Sequence, residues 1–225
     1  MILVTGASRG IGLSISQHLS SKGFEVLGVS RSPFNANFQT SQLDVTDFEK
    51  SKILANELKA QGTKLKAIIN VAGVASMNLM MLTPENVIRK IIDVNLVGTI
   101  NICQAFSSLL IRNKGGSIIN FSSIAVPLNL PGESIYAASK AGVETFSKSI
   151  AKELSKHEIR VNCISPGPMD TDLLKGVPKF QIEKIISSQS IQKQFELNSI
   201  NPIIDFLLSE GSNCITGQIF NIGGI

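Results

Sequence analysis

Short apolar runs alternate with longer helix-patterned stretches along the whole chain, and that alternation leaves few folds open. Ile2–Thr5 reads as a strand and residues 11–22 as a helix, with apolar side chains at 11, 15 and 19. Gly23 follows as a helix stop, and 25–30 reads as the second strand. A third, weaker strand is expected near 38–43. Thr46-Asp-Phe-Glu49 has the capping-box pattern and opens a helix to about residue 60. Residues 66–71 make a fourth strand, and Pro84 suits the first turn of a long helix reaching about 113. Then come a strand at 117–121, a helix at 134–156, a strand at 159–164, helical pieces within 180–210 and a last strand at 218–222. Repeated β-α-β units with nearly continuous apolar strands predict an α/β fold: a Rossmann-like, doubly wound parallel sheet with helices on both faces. In such sheets ligands bind beyond the carboxyl ends of the strands, where the strand order reverses. No linker, repeat or low-complexity tract interrupts the pattern, so a single domain over 1–225 is expected.

Composition removes several function classes. Charged residues are 17 % of the chain and the formal charge is only +4, with no basic run. With eleven Phe, one Tyr and no Trp, the chain lacks the basic, aromatic stripe of a nucleic-acid binder. Cys103, Cys163 and Cys214 lie far apart with no CxxC or Cys/His spacing, so no metal site is expected. The odd cysteine count and an opening apolar run too short for a signal peptide point to the reducing cytoplasm. No stretch approaches a membrane span's length in uninterrupted apolar residues, so no membrane association is expected.

The first strand leads directly into Thr5-Gly-Ala-Ser-Arg-Gly-Ile-Gly12 and then a helix. Gly6, Gly10 and Gly12 permit a tight turn with close backbone approach, and the helix N-terminus offers N–H groups to a pyrophosphate. Ser8, Arg9 and Ile11 complete the candidate loop. An ordinary glycine-rich turn has the same composition, but the strand before and helix after favour a dinucleotide. A site for NAD carries an acid about 20 residues on, at the tip of the second strand. Here that strand ends Val29-Ser30-Arg31. Arg31 with Arg9 suits a ribose 2′-phosphate, so NADP(H) is the expected cofactor; two solvated loop arginines are the plainer alternative. Asp44, with Val45 after it, is a candidate for the adenine, or a helix cap. Asn70-Val-Ala-Gly73 brings Asn70, Ala72 and Gly73 to the same edge, or is a plain turn.

The only tyrosine stands in Tyr136-Ala-Ala-Ser-Lys140. Positions i and i+4 share a helix face, so the phenol and the ammonium are neighbours. A nearby cation favours the phenolate and lowers the phenol pKa, which makes tyrosine a usable acid. Taken alone, the pair is equally a solvated helix face. Ser122 and Ser123 end the fifth strand, where a hydroxyl can bond a substrate carbonyl or close a local turn. Asn95 lies inside the long helix, where asparagine is a poor residue; holding a water near Lys140 is one reason, chance another.

Together these residues resemble the short-chain dehydrogenase/reductase family over essentially the whole length. The glycine loop, Asn70-Val-Ala-Gly73, Asn95, Ser123, Tyr136-x-x-x-Lys140 and Pro166-Gly-Pro168 stand in family order. The resemblance implies Tyr136 as proton donor and Ser123, by its spacing, as the partner of the carbonyl oxygen. Lys140 is implied to hold the nicotinamide ribose and lower the tyrosine pKa, with Asn95 supporting a relay water. Pro166, Gly167 and Thr171 are implied to line the nicotinamide. Within the family the chain is similar to 3-oxoacyl-thioester reductases, through Asp93-Val-Asn-Leu96, Tyr136-Ala-Ala-Ser-Lys-Ala-Gly142 and Ile215-Thr-Gly-Gln218. Those relatives dock an acyl carrier protein on basic residues by the active-site mouth, for which Arg112, Lys114 and Lys156 are candidates; His157 replaces an arginine frequent there. They form homodimers or homotetramers through the tyrosine helix, and Ala137, Ala141 and Ser149 suit close packing. A substrate loop is expected at about 173–198. An alcohol, sugar or polyol dehydrogenase is the alternative enzyme, and a non-catalytic dinucleotide-binding protein the alternative of another class.

Overall fold

A computed structural model describes residues 1–171 and 179–224. Its strands are β1 (Ile2–Thr5), β2 (Val26–Ser30), β3 (Gln39–Gln42), β4 (Ala67–Asn70), β5 (Gly116–Phe121), β6 (Ile159–Pro166) and β7 (Ile219–Ile222). They form one wholly parallel sheet in the order β3-β2-β1-β4-β5-β6-β7. Parallel neighbours need crossovers, and helices supply all but the one from β2 to β3, which is the irregular segment 31–38. α1 (Gly10–Ser21) links β1 to β2, and α2 (Phe48–Ala60) links β3 to β4. α3 (Glu85–Ile92) and α4 (Gly98–Arg112) lead to β5; α5 (Ala125–Leu128) and α6 (Ser134–Leu154) lead to β6. α7 (Lys179–Ser187) and α8 (Asn201–Leu208) lie between β6 and β7. Strand order runs outward from β1 and restarts at β4, so the crevice opens between those two strands.

Strand residues alternate between two cores. Ile2, Val4, Ile69, Ile119 and Ile164 pack against Ile15 and Leu19 of α1 and Ile204 and Leu207 of α8. Leu3, Ile68, Ile118 and Val161 pack against Leu58 of α2, Ile102, Phe106 and Leu109 of α4 and Ile150 of α6. Both faces are covered, which is why the inner strands read as unbroken apolar runs. Fully buried Phe106 alone contributes about 2–3 kcal/mol of burial free energy. β3 is one of the two edge strands and is half exposed, hence its polar sequence Gln-Thr-Ser-Gln and faint signal.

Some local features differ from the sequence expectation. Asp47, not Thr46, caps α2: its carboxylate accepts from Lys50 N–H at 3.0 Å, while the Thr46 hydroxyl donates to Asp44. The long helix is interrupted by a π-helical turn, Asp93–Val97, which carries Asn95. α5 and the short 3₁₀ turn Met80–Leu82 have no periodic signal at their length. The helical run Glu85–Arg112 is long and apolar enough to cross a membrane, but half of its most apolar window is buried within the fold.

Near the carboxyl edge, Thr5, Asn70, Asn120 and Cys163 stand in register on four adjacent strands. Asn70 Nδ2 donates to Asn120 Oδ1 at 2.9 Å, and Asn120 Nδ2 donates to Ser147 Oγ of α6 at 2.8 Å. This buried polar row fixes the relative heights of the strand ends and of α6.

Candidate active site

The glycine loop sits at the carboxyl end of β1, at the switch point. Gly6 and Gly10 have φ of +68° and +55°, values that favour glycine. A Cβ at Gly6 would come within 2.9 Å of Ala72 Cα, and one at Gly12 would overlap the Gly6 carbonyl. Thr5 Oγ1 accepts from the N–H groups of both Val71 and Ala72 at 3.1 Å, pinning the 70–73 segment beside the loop. α1 begins with no side-chain cap and no acid in its first turn, so its leading N–H groups face outward toward an anion. Ser8, Gly10 and Ile11 are half-buried around that opening, and Thr171 lies against Gly10. This cradle fits a dinucleotide pyrophosphate.

Arg9, inside the loop, and Arg31, one residue past β2, are both exposed at this end. β2 ends in Ser30, whose hydroxyl donates to Ser32 O at 2.5 Å, so the strand's last residue is not an acid. Asp44 folds into a turn: one oxygen accepts from Thr46 N–H at 3.0 Å and from its hydroxyl at 2.8 Å. Val45 is buried against Gly98, and its carbonyl accepts from Asn101. The Asn70 side chain points away from the crevice, to Asn120 and to Cys103 Sγ at 3.3 Å. Its expected contact with a cofactor is therefore left to its backbone.

Tyr136 and Lys140 lie on the first turns of α6, beside the end of β5. Lys140 is 5 % exposed; its Nζ donates to Phe121 O at 2.8 Å and lies 5.9 Å from the Tyr136 ring centroid. Burial pulls the Lys140 ammonium down to about 8. Burial pushes the Tyr136 phenol up to about 12, with the Ser123 hydroxyl opposing by hydrogen bonding. The phenol thus departs from the lowered value expected of a Tyr–Lys pair. The ammonium sits over the ring rather than on the hydroxyl, and desolvation prevails. The two serines divide. Ser122 donates to Glu144 Oε1 at 2.5 Å, whereas the half-buried Ser123 accepts from Ala125 N–H at 3.2 Å and faces Tyr136.

Asn95 is fully buried and braces the backbone beyond Gly73. Its Oδ1 accepts from Val74 N–H at 2.8 Å, and its Nδ2 donates to Val74 O at 2.9 Å and to Ser139 Oγ at 3.0 Å. The side-chain amide is thus engaged at both ends, with Val74 and with Ser139. A Cβ on Gly73 would lie 3.3 Å from Asn95 Oδ1 and 3.5 Å from Lys140 Nζ, so this glycine opens the space between them. Pro166 O accepts from Ile124 N–H, and Gly167 N–H donates to Ile222 O, tying the β6 exit to the ends of β5 and β7. Of the expected substrate loop, 173–178 lies outside the described residues; 179–198 carries α7 and its return.

The expected carrier-docking residues do not border this site. Arg112 ends α4 at the opposite, amino edge of the sheet, and its guanidinium donates to Lys59 O at 2.8 Å and Thr63 O at 3.0 Å. Lys114 and Lys156 stand at that same edge, before β5 and β6; a cavity of about 370 Å³ there is lined by Lys66, Lys114, Arg160 and Glu158. Helices after each strand run back to the amino edge, which sequence proximity to β5 and β6 did not reveal. Among the described residues no cluster of His, Cys, Asp and Glu is arranged to hold a metal.

Residues 1–181 match the short chain dehydrogenase family. The chain is 32 % identical over 235 residues to the 3-oxoacyl-(acyl-carrier-protein) reductase of Chlamydia trachomatis, covering 99 % of this chain and 95 % of that protein. It is 32 % identical over 231 residues to the enzyme of the same name from Haemophilus influenzae, covering 99 % and 96 %. Among solved structures, the ligand-free aldohexose dehydrogenase of Thermoplasma acidophilum superposes with a TM-score of 0.89 at 28 % identity, covering 99 % of this chain and 92 % of that one. A 4-hydroxyisoleucine dehydrogenase complexed with NADH and succinate also gives 0.89, at 27 % identity, covering 100 % and 98 %. A glycine cradle at the switch point, a Ser–Tyr–Lys cluster beside it and these full-length likenesses agree: the chain belongs to the short-chain dehydrogenase family.

Proposed function

We propose that the chain is an NADP(H)-dependent reductase of 3-oxoacyl thioesters or a related ketone, with Tyr136 as the general acid. The observation that carries this reading is the convergence of Ser123, Tyr136 and Lys140 at the end of β5, next to the glycine cradle. When bound, the nicotinamide supplies a hydride to the carbonyl carbon. Ser123 donates a hydrogen bond to the carbonyl oxygen, and Tyr136 transfers its phenolic proton to that oxygen as negative charge develops. Held up to about 12, the phenol is protonated at neutral pH but is a weaker acid than an ordinary tyrosine, and its proton passes only to an oxygen as basic as the developing alkoxide. Of the three donors on Lys140, one is spent on Phe121 O, leaving two for the nicotinamide ribose. Gly167 and Thr171 flank the nicotinamide, and Asn95 acts through the backbone it braces. A homodimer or homotetramer completes this reading.

Arg9 and Arg31 support NADP(H) over NAD(H), because guanidinium groups pair with a 2′-phosphate where a carboxylate repels it. Arg31→Ala is expected to raise the KM for NADPH about 10-fold or more, the worth of a charge-assisted hydrogen bond, while that for NADH stays within about twofold. Equal losses, in parallel titrations, remove Arg31 from phosphate recognition.

An apolar mouth supports an acyl substrate over a sugar. Leu79, Met80, Met81 and Leu82 are 58 %, 64 %, 89 % and 72 % exposed. Asn78 N–H donates to Gly132 O at 2.9 Å, which fastens this run to the loop four residues before Tyr136. Met80→Ser with Met81→Ser is expected to raise KM by about 10-fold for a long-chain 3-oxoacyl thioester and to leave acetoacetyl-CoA unchanged, since each buried methylene contributes about 0.8 kcal/mol. A chain-length-independent change points to polar substrates.

The test of the whole reading is NADPH oxidation with acetoacetyl-CoA and with cyclic ketones, and, run beside it, NADP+ and NAD+ reduction with sugars and polyols, all followed by absorbance. Thioester turnover supports the reading. Turnover confined to sugars or polyols replaces it with the dehydrogenase alternative.

A further inference from the structure

The limb that returns toward α8 is fastened to the ends of β6 and β7. Ile191 N–H donates to Gly223 O at 2.8 Å and Phe195 N–H to Pro168 O at 3.2 Å, with Met169 and Phe195 bridged in parallel. Gln189 stands at the centre of this junction. It is 2 % exposed; its Nε2 donates to Lys193 O at 3.2 Å, and its Oε1 has no donor among the described residues. That oxygen is seated between two glycines: a Cβ on Gly167, just past β6, or on Gly223, just past β7, would overlap it. Leaving a buried carbonyl oxygen unanswered is costly, and a leucine or valine would fill such a space without that cost.

We propose that Gln189 is a positioning residue that locks the substrate limb onto the Pro166–Gly167 turn, coupling recognition of the carbonyl substrate to recognition of the nicotinamide. The coupling rests on the reading of that turn as the nicotinamide end of the site. Its physical content is one amide shared by three segments. The Nε2 closes the Gln189–Lys193 turn of the limb, while the Oε1 occupies room that exists only because Gly167 and Gly223 lack side chains. Displacing the amide therefore shifts the limb and the turn together.

The experiment is a mutant cycle of Gly167→Ala, Gln189→Ala and the double variant. Each is read by thermal unfolding and limited proteolysis without cofactor, by NADPH and NADH titration, and by KM and kcat. Gly167 is not in the left-handed region, so its Cβ brings chiefly the overlap with Gln189, beside a tighter 3.1 Å approach to Ile222 O that stays in both Gly167 variants. Gly167→Ala alone is expected to lower Tm and weaken the nucleotide about 10-fold, and the double variant to return to the Gln189→Ala values, as coupled neighbours do. Gln189→Ala alone is expected to speed cleavage within 179–198 and to raise the substrate KM about fivefold with kcat within about twofold. Additive losses, or a Gln189→Ala protein with unchanged cleavage and KM, overturn the proposal. A wild-type protein that binds neither nucleotide overturns the cofactor reading instead, while the unfolding and cleavage arms still decide whether Gln189 fastens the limb.

Discussion

Tyr136→Phe is expected to lower kcat/KM for carbonyl reduction by about 10³-fold, within the usual range for removing a positioned general acid. The substitution deletes one hydroxyl and keeps the ring on which Lys140 rests, 5.9 Å from its centroid. Cofactor affinity is therefore expected to stay within about twofold. Single-turnover NADPH oxidation and a nucleotide titration on the same preparation separate the two quantities. A variant that keeps more than about a tenth of the wild-type rate assigns the proton to another donor.

The second large effect is expected from Lys140→Met. Losing the ammonium removes both the proposed ribose contact and the cation beside the phenol, so kcat/KM is expected to fall about 10²–10³-fold with weaker nucleotide binding. The pH dependence gives a more specific signature. In the cofactor-free protein burial brings the Lys140 ammonium down to about 8, and kcat/KM for NADPH reports that form. Wild-type kcat/KM is expected to fall above about pH 8, and the Met variant to show no such limb. Tyr136, held up to about 12, stays protonated across this range and does not produce it. Stability carries the same sign of evidence. From about pH 8 up to the ordinary lysine value of 10.5, the unfolded chain binds a proton that the folded chain has released. The Lys140 contribution to stability therefore rises with pH through that window. Thermal unfolding across the window is expected to show this rise in the wild type and to lack it in Lys140→Met.

The fold was legible because burial on both faces leaves a strong mark: the inner strands are short apolar runs, and each crossover helix carries its own period. Edge strand β3 was faint because one side of it meets solvent, and α5 because four residues are too few for periodicity. The convergence of Gly6, Gly10, Gly12, Ser123, Tyr136 and Lys140 could be read from spacing, since each stands at a strand end or on one helix face. What spacing could not supply was the destination of each side chain. Asn70 and Asn95 look like ligand groups in sequence, yet the Asn95 amide is engaged at both ends and the Asn70 Nδ2 turns to Asn120 and Cys103, with only its buried Oδ1 left without a partner among the described residues. Ser122 and Ser123 are adjacent and chemically identical. Spacing to Tyr136 favours Ser123, and the partnership of Ser122 with Glu144, from another element, gives the physical reason. Gln189 and Ser139 gave no signal, because their roles arise from contacts between segments that sequence does not align.

The most direct test of the central claim follows the hydride itself. Wild-type protein is incubated with acetoacetyl-CoA and NADPH dideuterated at nicotinamide C4, and the product is examined by mass spectrometry and NMR. Deuterium on the new carbinol carbon of 3-hydroxybutyryl-CoA, formed in step with NADPH oxidation, is the predicted result. Demonstrable NADPH binding with no labelled alcohol, from this thioester or from any ketone offered beside it, contradicts the account.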